Sequence, residues 1–266
     1  MLDSHRFSRQ CVRALGYLVL VYLLLPILAI IPLSFNSSSL LTYPMEGFSL
    51  KWYARVFADG RWISALMNSL LVGAATVAIA TPIGTLAALG LSKLSFRGKA
   101  LLIAGLLSPM IVPTIITAVG IYFVFSRLGL ANSLVGLVLA HVVLALPFVL
   151  IPVSAALSQL DPSLARAASS LGARPGYTFR HVTLPLIAPG IASGAIFAFT
   201  TSFDEVVVAM LLTGPAQRTL PRELLSGTRE NLDPTVLAVA TLLVLLASLV
   251  LVALGRLGQG RKARRA

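Results

Sequence analysis

With 266 residues, 57% of them hydrophobic and only 11% charged, and a mean hydropathy of +0.91, the chain lacks the polar surface that a water-soluble fold requires. Its net charge of +12 would point to nucleic acid in a soluble protein, but the basic residues are sorted by loop, and nucleic acid drops out as a partner. What remains is an all-α, polytopic membrane helical bundle, since only helices or closed barrels satisfy their own backbone in lipid.

Apolar runs of roughly 20 residues or more predict six transmembrane helices, at about 14–35, 63–92, 100–126, 133–158, 184–213 and 234–255. They form one membrane domain over 1–266 with no soluble module. The first run follows Arg6, Arg9 and Arg13 as a secretory signal would, but it is too long and lacks a small-residue cleavage site, so it is expected to persist as a helix. Cys11, the single cysteine, reads as a small neutral residue of the first tail. Segment 36–62 carries Trp52, Tyr53 and Trp62, which read as anchors at the membrane interface.

Fourteen of the 21 basic residues fall in the two tails and in the loops after the second and fourth runs. The positive-inside rule therefore places both termini and the 159–183 loop on the cytoplasmic side. The terminal run Arg261-Lys262-Ala263-Arg264-Arg265 fits an anionic lipid surface. Prolines interrupt most of the runs (Pro26, Pro32, Pro82, Pro109, Pro113, Pro147, Pro152, Pro185 and Pro189), as membrane helices tolerate where neighbours satisfy the freed carbonyl. Small-residue clusters such as Gly73-Ala74-Ala75 and Ala192-Ser193-Gly194-Ala195 allow close helix contact.

The 159–183 loop has the grammar of a built element. Asp161-Pro162 is a strong helix start, and Gly172 suits a left-handed stop. Arg174-Pro175 opens a second short helix through Tyr177 and Phe179, and Pro185 marks the return to the membrane. Ala167 and Ala168 leave part of this knob without bulk, so another protein's backbone can come close.

Within the fifth run, Asp204 and Glu205 are the only carboxylates inside a predicted span. An ionised acid near the bilayer centre costs about 2.5–3.5 kcal/mol on insertion scales. On a continuous helix Asp204 would lie roughly 13 Å below the outer end at a rise of about 1.5 Å per residue, in the outer half of the membrane. Two readings stay open: a substrate path or gate, and a polar pair that holds the bundle. Asn68 caps or cross-bonds the second helix, or serves the gate. The lone His141 reads as a hydrogen-bonded packing residue. Phe123, Phe125, Phe197 and Phe199 read as lipid or bundle contacts. No phosphate-binding Gly-rich loop, no metal-ligand spacing and no nucleophile–base pair is visible, so no catalytic or metal site is expected, and a pump built on this chain draws its energy from elsewhere.

The pattern Ala167-Ala168-x3-Gly172-x9-Val182-x-Leu184-Pro185 resembles the "EAA" loop of permease subunits of binding-protein-dependent ABC importers. The resemblance implies a type I importer permease fold and a loop that seats in a groove of an ATPase. It implies as partners a second permease in a hetero- or homodimer, two ATPase subunits that bind the ATP and magnesium, and an extracytoplasmic solute-binding protein. The chain itself would hold no cofactor and would lie in a bacterial inner membrane. Asn68-Ser69-Leu70, Ser202-Phe203-Asp204-Glu205 and Leu232-Asp233-Pro234-Thr235 are most similar to the spermidine/putrescine branch, although iron(III) and phosphonate importers share much of the pattern. The family's usual Glu is Arg166 here, a charge reversal on the contact surface. An ion-coupled secondary transporter with Asp204 or Glu205 as proton relay is the rival reading.

Overall fold

The computed structural model describes residues 2–230 and 234–263, without the side chains of 2–8, 11, 229–230 and 250–263. The readings made on Arg6, Cys11, Leu232, Asp233 and the terminal basic run lie outside those described residues or side chains.

Along the chain, α1 (Leu2–Leu33), α2 (Lys51–Ala58), α3 (Gly60–Lys93), α4 (Lys99–Ile111), α5 (Thr114–Arg127) and α6 (Leu134–Ser158) come first. They are followed by α7 (Pro162–Ser170), α8 (Pro175–Thr178), a π turn over Phe179–Thr183, α9 (Leu184–Phe203), α10 (Val207–Leu212), α11 (Leu220–Glu230) and α12 (Thr235–Ala263). The chain divides into two compact units, Met1–Ile63 with Leu224–Ala266, and Ser64–Glu223.

Among the described residues, four helical stretches are long and apolar enough to cross a membrane unaided: Val12–Leu33, Gly60–Lys93, Leu134–Ser158 and Pro175–Phe203. The third predicted span is not one straight helix. α4 and α5 meet at 107°. Pro113 has no N–H to continue the helix and forces Val112 out of the helical region, to φ −74° and ψ 133°. The sixth predicted span falls on α12, whose described apolar stretch is Thr235–Leu249.

The fifth predicted span also needs correction. α9 stops at Phe203, Asp204 to Val206 are non-helical, and the short α10 follows. Asp204 and Glu205 therefore do not sit in a continuous membrane helix. The chain breaks where burying two carboxylates in a helix would be most costly.

In the first unit, α12 packs on α2 and α1. Trp52 and Trp62 are buried here, at 4% and 2% exposure, rather than displayed as interface anchors. Trp52 Nε1 donates to the Asn36 carbonyl at 2.8 Å, and Ser34 Oγ lies 2.6 Å from the Tyr53 hydroxyl. Their rings fill a small core; the Trp52 and Tyr53 polar atoms find local partners, while Trp62 Nε1 has none among the described residues.

The second unit is centred on α6, whose Leu137, Ala145, Val149 and Val153 are fully buried. Its principal neighbour is α9. The approach is close because α9 presents glycines. A Cβ on Gly190 would stand 2.9 Å from the Pro152 carbonyl oxygen, and one on Gly194 would stand 3.1 Å from Val149 Cα. Small residues at such contacts let backbones meet, as membrane helix pairs require.

Candidate functional site

The 159–183 region folds as its local signals dictate. Asp161 caps α7, with Oδ1 accepting the Ser163 N–H at 2.8 Å. That hydrogen bond holds the Asp161 carboxyl below the usual aspartate range, because it favours the charged form. At the other end Gly172 takes φ 79°, and the N–H groups of Gly172 and Ala173 return to the carbonyls of Ser169 and Ala168. Arg166 and Ala167 are exposed on α7, Ala168 is half-buried, and Leu171 at the tip is 89% exposed. Between α7 and the following segment lies an open concavity of about 590 Å³, lined by Ala168, Leu171, Arg174, Tyr177 and Val182 among others.

The second loop helix is not the separate piece expected from the sequence. From Pro175 the chain is helical without interruption to Phe203. Leu184 N–H bonds to Phe179 O in the wider π register. The widened turn lies immediately before Pro185, which lacks the N–H that would continue the ladder. Val182 and Leu184 are half-buried at this junction, while Pro185 is exposed inside α9 and breaks nothing. The second half of the knob, from Pro175, and the membrane helix therefore form one continuous helix.

At the other end of the second unit the polar groups collect. Asn68 Nδ2 donates to the carbonyls of Ala216 and Arg218, at 3.2 and 3.0 Å. Beside it, Ser69 Oγ accepts the Leu220 N–H at 2.8 Å. Asn68 thus cross-bonds α3 to the 213–220 segment. Arg222 clamps the same segment by donating to the Thr213 carbonyl at 2.6 Å, the Gly214 carbonyl at 3.2 Å and the Thr213 hydroxyl. Asp204 is exposed, whereas Glu205 turns inward and accepts the Val208 N–H at 2.9 Å, capping α10. The two neighbouring acids therefore differ in role. Glu205 is tied to the fold, and Asp204 presents its carboxylate outward. Asp204 and Asn68 share no hydrogen bond among the described residues.

A buried polar chain lies one turn inside this end. Ser202 Oγ donates to Thr76 Oγ1 at 3.3 Å and lies 2.8 Å from His141 Nδ1. With the serine donating to the threonine, His141 carries its proton on Nδ1. His141 is 1% exposed and its Nε2 has no partner among the described residues. The chain links α3, α6 and α9 two residues before the Asp204 break, so His141 is a hydrogen-bonded packing residue. Sequence reasoning missed its partners, because Ser and Thr in apolar helices most often bond their own helix. It also missed the Arg222 clamp, since a basic residue between two predicted spans carries no signal of its bonding.

Comparison with known proteins agrees with this architecture. The family model for the binding-protein-dependent transport system inner membrane component matches residues 80–263. The spermidine/putrescine transport system permease protein PotC of Escherichia coli K12 is 34% identical over 235 residues, covering 88% of this chain and 89% of PotC. The putrescine transport system permease protein PotI of the same strain is 35% identical over 230 residues, covering 84% and 82%. A crystal structure of a bacterial ABC transporter involved in the import of the acidic polysaccharide alginate superposes with a TM-score of 0.73, at 18% identity, over 96% of this chain and 97% of that one.

The helical bundle is that of a type I ABC importer permease, a transport subunit without catalytic chemistry of its own. The chain belongs to the family of binding-protein-dependent transport system inner membrane components. It is accordingly a multi-pass inner-membrane protein, working with an ATPase and a substrate-binding protein.

Proposed function

We propose that this chain forms half of the translocation pathway of a polyamine importer, paired with a second permease of the same or a related kind and with two ATPase subunits that bind ATP and magnesium. The observation that carries the coupling is mechanical: the second half of the exposed knob, from Pro175, runs into α9 without a break, so a push that reaches it is a push on a membrane helix. Arg166, Ala167, Ala168 and Gly172 form the face offered to the ATPase, and Val182, Leu184 and Pro185 form the junction that transmits the motion. The loop-wise charge bias supports placing this face and both termini in the cytoplasm.

Polyamine is supported by the likeness to the PotC and PotI permeases over more than four-fifths of the chain. The chemistry agrees, since an exposed carboxylate at Asp204 beyond the end of α9 suits a passing cation. Asn68 and Glu205 hold the surrounding backbone in place. In the working cycle, ATP-driven closure of the ATPases moves the knob, the pore opens outward to the binding protein, and hydrolysis resets it.

The test is Ala167→Trp in the complete importer. Because Ala167 is exposed, the fold should survive while the close approach of the ATPase is blocked. Uptake should then fall at unchanged permease abundance. Full uptake with a tryptophan at 167 would refute the contact. For the path, Asp204→Asn should slow uptake and leave assembly and resting ATP hydrolysis intact; loss of assembly would make Asp204 a structural residue.

A further inference from the structure

At the end of the second unit that bears the knob, α3, α4 and α6 enclose a cleft of about 560 Å³. Its walls are mainly apolar, with Leu107 and Leu150 among them, and its polar groups are Lys99 and the hydroxyls of Ser92, Ser154 and Ser158. This amphiphilic lining plays no part in the coupling knob or the outer polar cluster.

The charge around its mouth has one sign. Lys93, Arg97 and Lys99 lie within seven residues, and the sequence contains no carboxylate between Asp59 and Asp161. Asp161 itself is engaged by the Ser163 N–H. Lys99 is half-buried and spends one ammonium donor on the Leu94 carbonyl at 3.1 Å. An ammonium has three donors, so the head is oriented by the protein with capacity for an anion. α4 begins at the same place with Gly98 at its N-cap, which offers no side-chain acceptor to the first-turn N–H groups. The positive end of that helix adds to the field of the three cations.

An apolar cleft in the membrane with a fixed cation at its rim fits an acyl chain joined to an anionic headgroup. We propose that this cleft binds an anionic phospholipid of the inner leaflet, with the phosphate on Lys99 and an acyl chain along Leu107 and Leu150. Basic pockets between transmembrane helices are a recognised setting for anionic lipid headgroups. The position has a consequence, because α6 leads directly into the knob and is the principal neighbour of α9. A lipid seated between α3, α4 and α6 supports the helix on which the knob's lever rests.

The experiment uses the intact importer, with its partner permease and ATPases, in nanodiscs of phosphatidylcholine with or without phosphatidylglycerol. The probe is phosphatidylglycerol carrying a photoreactive group in its acyl chain, read by peptide mapping and by native mass spectrometry of retained lipid. Labelling is expected on α4 and α6 peptides that line the cleft. Lys99→Gln should reduce retained phosphatidylglycerol about fivefold, the worth of one basic contact to an anionic lipid, and Lys99→Arg should restore it. Retention unchanged in Lys99→Gln, or label falling only elsewhere, overturns the proposal. So does efficient cross-linking of an Ile103→Cys variant to the second permease, which would show that protein fills the cleft.

Discussion

Replacing Gly190 by alanine tests the close packing of α9 on α6, on which the proposed coupling depends. In a helix interior the change alone should stabilise by about 1 kcal/mol, the difference in propensity between the two residues. Here the new methyl would stand 2.7 Å from Ala156 Cβ and 2.9 Å from the Pro152 carbonyl oxygen. A backbone oxygen in a buried helix cannot step aside as a flexible side chain does, so the overpacking cost belongs to the upper part of its usual range of about 1–3 kcal/mol. The net expectation is destabilisation by about 1–2 kcal/mol, as α6 and α9 are forced apart. Gly105→Ala supplies the control, because nothing lies within 4 Å of a Cβ there and only the propensity gain remains. Adding Ala156→Gly to Gly190→Ala should recover part of the loss, since it removes one of the two contacts and leaves the carbonyl. The assay is denaturant unfolding of the purified complex in detergent, followed by tryptophan fluorescence, with ATP-dependent uptake in parallel. Gly190→Ala as stable as Gly105→Ala would refute the close α6–α9 approach.

Three further outcomes are expected. Asp161 has a folded-state pKa below its ordinary 3.8, so its contribution to α7 is fully present above that value and is lost as pH falls through the lower folded one; hydrogen exchange over 162–171 should speed up in that acid window, whereas Asp161→Asn, still a good cap, should show no such pH step. Ser202→Ala should destabilise modestly, and a double-mutant cycle with His141→Ala should give a coupling of about 0.6 kcal/mol and no more than about 1.7, the range for such bonds in membrane helices; zero coupling in unfolding assays would remove the buried bond. Arg166→Glu should weaken co-purification with the chain's own ATPase if that ATPase presents an acidic or neutral surface to Arg166, and improved assembly and uptake would contradict that reading.

The features legible in the sequence were those set by local chemistry. Asp161, Pro162 and Gly172 fix α7 through interactions within a few residues, so its ends could be placed without the fold. Long apolar runs located the membrane helices for the same reason. What sequence did not disclose depended on distant partners. No Gly or Pro marks the end of α9 at Phe203, where the break reflects the desolvation of Asp204 and Glu205 rather than a turn signal. Trp52 and Trp62 could have been interface anchors on composition, and only the folded structure shows them buried. The Thr76–Ser202–His141 chain joins residues up to 126 positions apart, beyond any periodicity. Nor did the prolines around 185 reveal that a π turn carries the helix past them.

In the proposed cycle, energy enters through the 161–183 knob from a separate ATPase. The most direct measurement is uptake of radiolabelled spermidine into proteoliposomes holding the permease pair and the binding protein, with the ATPase added or left out, and with 162–171 intact or replaced by a Gly/Ser linker of equal length. Uptake is expected only with ATP, the ATPase and the intact knob together. Transport without the ATPase, or undiminished transport with the linker in place, would contradict the account.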